Sequence, residues 1–163
     1  MRPTIFLDID GVLATSNQFY TNRKKWPEYD RYRFDDKCVK VFNEILMRTE
    51  PIIVMSSDWK LHYTIDGLNN IFKINDVKGI VSDITPSLWG TRYLSYDDLD
   101  ECRAQEILLY VSRHNVGNYV AIDDLNLKPW IPDNFVHTPR ANEGIKQSSV
   151  KDKIIKVIKN ESK

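Results

Sequence analysis

The sequence predicts an α/β domain, a mainly parallel sheet lying between two layers of helices. Short apolar, β-branched runs alternate along the chain with stretches of helical periodicity. That alternation suits parallel strands, whose long crossovers lay a helix over the sheet. Three of the four apolar runs also end in polar groups, at Asp8/Asp10, Ser56/Ser57 and Asp123/Asp124. Ligands of such sheets bind beyond the carboxyl ends of the strands, so these endings mark a candidate site.

The predicted strands are residues 4–7, 51–55, a shorter run at Ile80-Val81, and 119–122. Each is short and continuously apolar, as expected of strands covered on both faces. The intervening segments carry apolar residues at helical spacing. Val39, Phe42 and Leu46 share one face, and Leu61, Ile65, Leu68 and Phe72 a second. Ala104, Ile107, Leu108 and Val111 form a third within a helix expected over 98–114, and Val150, Ile154, Val157 and Ile158 a fourth. The longest stretch without a clear period is 14–36, whose aromatics Phe19, Tyr20, Trp26, Tyr29 and Tyr32 argue against plain disorder. A loop of that length inside a domain is usually functional.

At 163 residues the chain has room for one sizeable core, so residues 1–163 are expected to form a single domain. Apolar residues make up 42% of it, which is enough to fold. Its 23 basic and 23 acidic residues cancel, which excludes a whole-molecule field drawing in nucleic acid and leaves only a local basic patch to do so. No apolar run is long enough to span a bilayer and no signal-peptide pattern opens the chain, so a cytoplasmic protein without membrane contact is expected. Cys38 and Cys102 fall in helical stretches away from any His at ligand spacing, which predicts buried free thiols.

The stretch Asp8-Ile9-Asp10-Gly11-Val12 poses an electrostatic problem, because like charges at a strand end repel unless a cation sits between them. Magnesium is the natural partner of such hard oxygen ligands. Asp8 and Asp10 point to the same side of an extended segment, and Asp123 can arrive from a neighbouring strand.

These residues resemble the haloacid dehalogenase (HAD) superfamily in its phosphatase form. Asp8-Ile9-Asp10-Gly11-Val12 matches its first motif, Ile52-Ile53-Val54-Met55-Ser56 its second, and Ile122-Asp123-Asp124 the acidic pair of its fourth. More narrowly, Ser56-Ser57-Asp58-Trp59-Lys60 with Arg103-x-x-Glu106-Ile107 is similar to the small HAD domains of RNA-repair proteins, and in plan to the phosphatase half of polynucleotide kinase-phosphatase. Those relatives usually carry Arg where Lys60 stands.

The resemblance implies a Rossmann-like three-layer core with a minimal cap or none, and 14–36 as flap or minimal cap. It implies Asp8 as nucleophile and Asp10 as general acid, then general base. Magnesium would be held by the Asp8 carboxylate, the Asp10 backbone carbonyl and Asp123, with Asp124 outside or through water. Ser56 would bond a phosphoryl oxygen, and Gly11 would turn the chain away from the site. Arg103 would neutralise the transferring group in place of the family's usual Lys, with Lys60, Arg92 and Lys128 as competitors for that role. Ser57 and Lys60 are further candidate substrate contacts. In the basic, aromatic strip of the 14–36 loop, Lys24, Lys25 and Trp26 are the residues expected to hold a polyanion and stack bases.

Plainer readings exist for several of these residues. Ser57 can be a helix N-cap, Arg103 an exposed helical side chain paired with Glu106 or Asp100, and the 14–36 strip a solvated loop covering the sheet. The expected activity is that of a magnesium-dependent phosphomonoesterase acting on a nucleotide or polynucleotide end. A small-metabolite phosphatase and a catalytically silent phosphate-binding or interaction module are the alternatives.

Overall fold

The computed structural model describes residues 2–16, 33–90 and 98–160. Five parallel strands form one sheet in the order β3-β2-β1-β4-β5: β1 (Thr4–Leu7), β2 (Ile52–Met55), β3 (Val81–Ile84), β4 (Tyr119–Asp123) and β5 (Phe135–His137). Among the described residues four α-helices accompany them: α1 (Asp36–Thr49), α2 (Ile65–Ile74), α3 (Leu99–His114) and α4 (Val150–Ile158). The expected three-layer architecture is present, and the described residues add no cap domain to it.

Alternation along the central strand divides the core in two. Ile5 and Leu7 of β1 face one side, where Phe42, Phe72 and Ile154 bring α1, α2 and α4 against the sheet. Phe6, Val54 and Ala121 face the other, where Ala104, Ile107 and Tyr110 of α3 pack together with Leu127 and Ile131. Because both faces are covered, every residue of β1 is buried, which is why the strand reads as a continuous apolar run.

Two expectations need correction. Leu61 does not extend the α2 face. It ends a 3₁₀ turn (Asp58–Leu61) and is 51% exposed, because Thr64 caps α2 by accepting from Gly67 N at 3.1 Å and so starts the helix later. The sheet also has a fifth strand. β5 is only three residues long, too short to show periodicity, and its place is set by pairing Ala121–Asp123 with Phe135–His137. Cys38 and Cys102 are buried and free, as expected.

Of the 14–36 stretch, residues 17–32 lie outside the described residues. The segments on either side of them meet: Asp35 N donates to Leu13 O at 2.9 Å, and Thr15 Oγ1 donates to Asp35 Oδ2 at 3.2 Å. Asp35 also caps α1, accepting from Lys37 N and Cys38 N, and pairs with Lys146 Nζ. No described helix is long and apolar enough to cross a membrane.

Candidate active site

Strand register assembles the site. Leu7 of β1 lies opposite Met55 of β2 and Ile122 of β4, so the next residue of each strand, Asp8, Ser56 and Asp123, emerges at one level. Backbone bonds hold that row together, from Ser56 N to Leu7 O at 2.9 Å and from Asp8 N to Ile122 O at 3.0 Å. One more step along β4 adds Asp124. The side chains of Asp8, Asp123 and Asp124 offer oxygens within 4.8 Å of one another.

After Asp8 the chain turns back at once. Ile9 O accepts from the amides of Val12, Leu13 and Ala14. Gly11 has φ +70°, and a Cβ there would come within 2.3 Å of Asp124 Oδ2. Only glycine suits both the left-handed backbone and the contact. From the far side Thr138 Oγ1 donates to Gly11 O at 3.1 Å, and Thr138 N to Asp123 O at 2.9 Å, so the residue following β5 ties the two acidic loops together.

Arg103 is the cation of this centre. It is 7% exposed, and Nη1 lies 2.8 Å from Asp123 Oδ2 and 3.2 Å from Asp8 Oδ1 while also donating to Ser56 O. Nη2 reaches Asp58 Oδ1 at 2.9 Å, and the Asp58 side chain is 69% exposed. The reading of Arg103 as an exposed helical residue is thus excluded. Lys60 turns elsewhere: Nζ pairs with Glu106 and donates to Thr85 Oγ1 at 2.8 Å. Lys128 is exposed, and Arg92 lies outside the described residues. Lys24, Lys25 and Trp26 also lie outside them.

Three carboxylates against one guanidinium leave the centre short of positive charge. Burial raises the pKa of Asp8, against the lowering effects of Arg103 and of a hydrogen bond from Ser57. Burial likewise pushes Asp123 well up, and takes Asp124 to about 6 with the charges of Asp8 and Asp10 adding to it. For Arg103 burial works against the charge, but Asp123, Asp8 and Asp58 outweigh it and raise its pKa, so it stays cationic. The donor set is all hard carboxylate oxygen and under-neutralised, which fits a divalent cation such as Mg2+. The carboxylate of Asp10 is not in this cluster; the expectation for that residue concerned its backbone carbonyl.

Ser57 is the N-cap of the 3₁₀ turn, as its plainer reading has it. Its hydroxyl accepts from Trp59 N at 3.5 Å, capping the 3₁₀ turn, and also bonds Asp8. The neighbouring Ser56 Oγ is buried without a hydrogen-bond partner among the described residues. Such groups are rare in folded proteins.

Sequence reasoning gave no role to Trp59, which sits within the quoted second-motif stretch. Its Nε1 donates to Asp10 Oδ2 at 2.8 Å. The indole is held against Phe34 and Tyr63, with ring centroids 5.9 and 5.6 Å away. Asp10 lies at the solvent boundary. Partial burial raises its pKa, the Trp59 bond lowers it and Asp58 raises it again. The signal available in sequence was only an aromatic donor four residues past the β2 terminus. A cavity of about 650 Å³ between α1 and residues 75–78 contains none of these groups.

A parallel sheet in this order, with an acidic pair after β1, a serine after β2 and a second acidic pair at the end of β4, defines a Rossmann-like domain of the HAD type. Such domains generally use Mg2+. Within that class the chain belongs to the family described as the HAD domain in Swiss Army Knife RNA repair proteins, whose model matches residues 4–150. No curated protein and no solved structure matches it. Membership implies hydrolase chemistry of the phosphatase type in the setting of RNA repair.

Proposed function

We propose that the protein is a Mg2+-dependent phosphomonoesterase that works through an aspartyl-phosphate and acts on the phosphorylated end of a nucleic acid or on a nucleotide. The observation that carries this reading is the level row of Asp8, Ser56 and Asp123 with Arg103 bonded to all three. Asp8, Asp123 and Asp124, with the Asp10 carbonyl, would hold a Mg2+ ion whose charge lets an anionic nucleophile meet an anionic phosphate.

In the first step an Asp8 oxygen attacks phosphorus, the ester P–O bond breaks, and Asp10 gives its proton to the departing oxygen. In the second, Asp10 takes a proton from water, the water oxygen attacks phosphorus, and Asp8 leaves with inorganic phosphate released. Ser56 Oγ, which has no partner among the described residues, donates to a phosphoryl oxygen. Nη2 of Arg103 supplies a second contact by exchanging the exposed Asp58 for a phosphoryl oxygen. Trp59 positions Asp10 rather than touching substrate. The RNA-repair family and the absence of a cap domain among the described residues favour a macromolecular end over an enclosed metabolite.

Purified protein with Mg2+ is expected to release inorganic phosphate from an end-phosphorylated oligonucleotide. Asp8→Asn lowers kcat by at least ~10³-fold, since a nucleophile has no substitute. Activity that survives the substitution removes Asp8 from that role. Turnover of sugar phosphates with inert oligonucleotides would move the reading to a small-metabolite phosphatase, and phosphate binding without turnover to a silent module.

A further inference from the structure

We propose that a side cavity sharing Arg103 with the reaction centre is a nucleobase subsite, which takes the base of the terminal nucleotide whose phosphate is removed; the assignment of that phosphate rests on the reading above. The cavity, about 180 Å³, is lined in part by Arg103 and Asp58, and Arg103 is also ion-paired with Asp8 and Asp123 of the acidic cluster. Its volume lies well below the roughly 300–1,000 Å³ of pockets that enclose a whole drug-sized ligand, so it suits one part of a substrate.

The walls select the kind of group. Leu61, Trp89 and Leu99 line it, and Leu61 and Trp89 are 51% and 41% exposed. Large apolar side chains left open to solvent beside a polar reaction centre are suited to covering a flat apolar surface. The charged groups in the wall cancel: Lys60 is paired with Glu106, and Arg103 with Asp58. A second phosphate therefore finds no net positive charge here, whereas an uncharged heterocycle meets an indole to stack on. Trp89 follows β3 and Leu61 follows β2, so both stand at the carboxyl end of the sheet with the acidic row.

Two end-phosphorylated oligonucleotides decide the matter, identical except that one carries adenine on its terminal residue and the other is abasic there. The wild-type protein is expected to show a KM on the order of tenfold lower for the base-bearing end, and Trp89→Ala to bring that ratio close to one. A wild-type ratio of one, or a ratio unchanged in Trp89→Ala, overturns the subsite. Independently of turnover, adenosine is expected to shift the Trp89 indole N–H resonance, identified by its absence from Trp89→Ala. If neither oligonucleotide is hydrolysed but adenosine moves that resonance, the subsite stands and the phosphatase reading falls. A resonance that adenosine leaves in place removes the subsite.

Discussion

Asp8 and Asp35 are both buried aspartates held by a single cationic side chain, and their carboxyl groups respond in opposite directions. Asp35 lies where the chain enters α1. Burial disfavours its charge, but Lys146, the amides of Cys38 and Lys37 and the Thr15 hydroxyl supply more than burial removes, and its pKa falls below the ordinary value. Asp8 lies at the end of β1. Arg103 and Ser57 serve it too, yet Arg103 is shared with Asp123 and Asp58, and the Asp8 pKa rises. The contrast separates a carboxylate that the fold has finished satisfying from one that still lacks positive charge. The first is a structural clamp; the second has the unmet charge that the proposed cation site requires.

The largest expected effect tests that division directly. Asp35→Ala removes the α1 cap and the Lys146 partner together, and is expected to lower stability by about 2 kcal/mol in urea unfolding. Asp8→Asn, measured the same way without Mg2+, is expected to leave stability unchanged or raise it, because it relieves repulsion with Asp123 and Asp124. Equal destabilisation by both substitutions would break the comparison.

A smaller effect is expected at Asp10, where a single hydrogen bond from Trp59 partly offsets burial. Trp59→Phe keeps an aromatic ring against Phe34 and Tyr63 and deletes the donor. The expected result is about a tenfold lower kcat on an oligonucleotide end, whose alkoxide needs the general acid, and a lesser loss on p-nitrophenyl phosphate, whose leaving group does not. The bond favours the ionised carboxylate, so its loss raises the Asp10 pKa and moves the limb of the kcat profile that reports it to higher pH. Equal losses on both substrates with an unmoved profile would assign Trp59 to packing alone.

What could be read from sequence follows the range over which each feature is encoded. Asp8, Ser56 and Asp123 were legible because each directly follows or ends a short apolar run, and a parallel register makes strand ends coincide. The helical faces were legible for the same local reason, apart from Leu61, where a capping threonine intervenes. Arg103 was legible as a candidate but its burial was not, since the helix pattern alone does not say that a charged residue faces the sheet end. The Trp59–Asp10 bond joins positions 49 residues apart and the Asp35–Lys146 pair 111 apart. Neither has a local pattern, and both depend on packing that only the assembled sheet fixes.

The smallest effect is the pH dependence of stability, and here the two regions must pull apart in sign. Asp124 titrates near 6 in the folded protein against an ordinary 3.8, so between those values the folded state binds the extra proton. Its stabilising contribution is complete below 3.8 and lost as pH rises through about 6; Asp8 and Asp123, also raised, act in the same direction. Asp35 is lowered, so its contribution is complete above 3.8 and is lost only as pH falls below it. Metal-free protein is therefore expected to lose stability as pH is raised from about 4 to 6, with Asp35 nearly constant across that window. Asp124→Asn should flatten the decline. Millimolar Mg2+ should reverse it near pH 7, because an ion that binds only the folded cluster stabilises by mass action and binds better once the carboxylates are ionised. Thermal melts across that range, with and without Mg2+, measure this. A decline that persists unchanged in Asp124→Asn and in Mg2+ would mean that the acidic row is satisfied internally, as Asp35 is, and would remove the physical argument for a cation site.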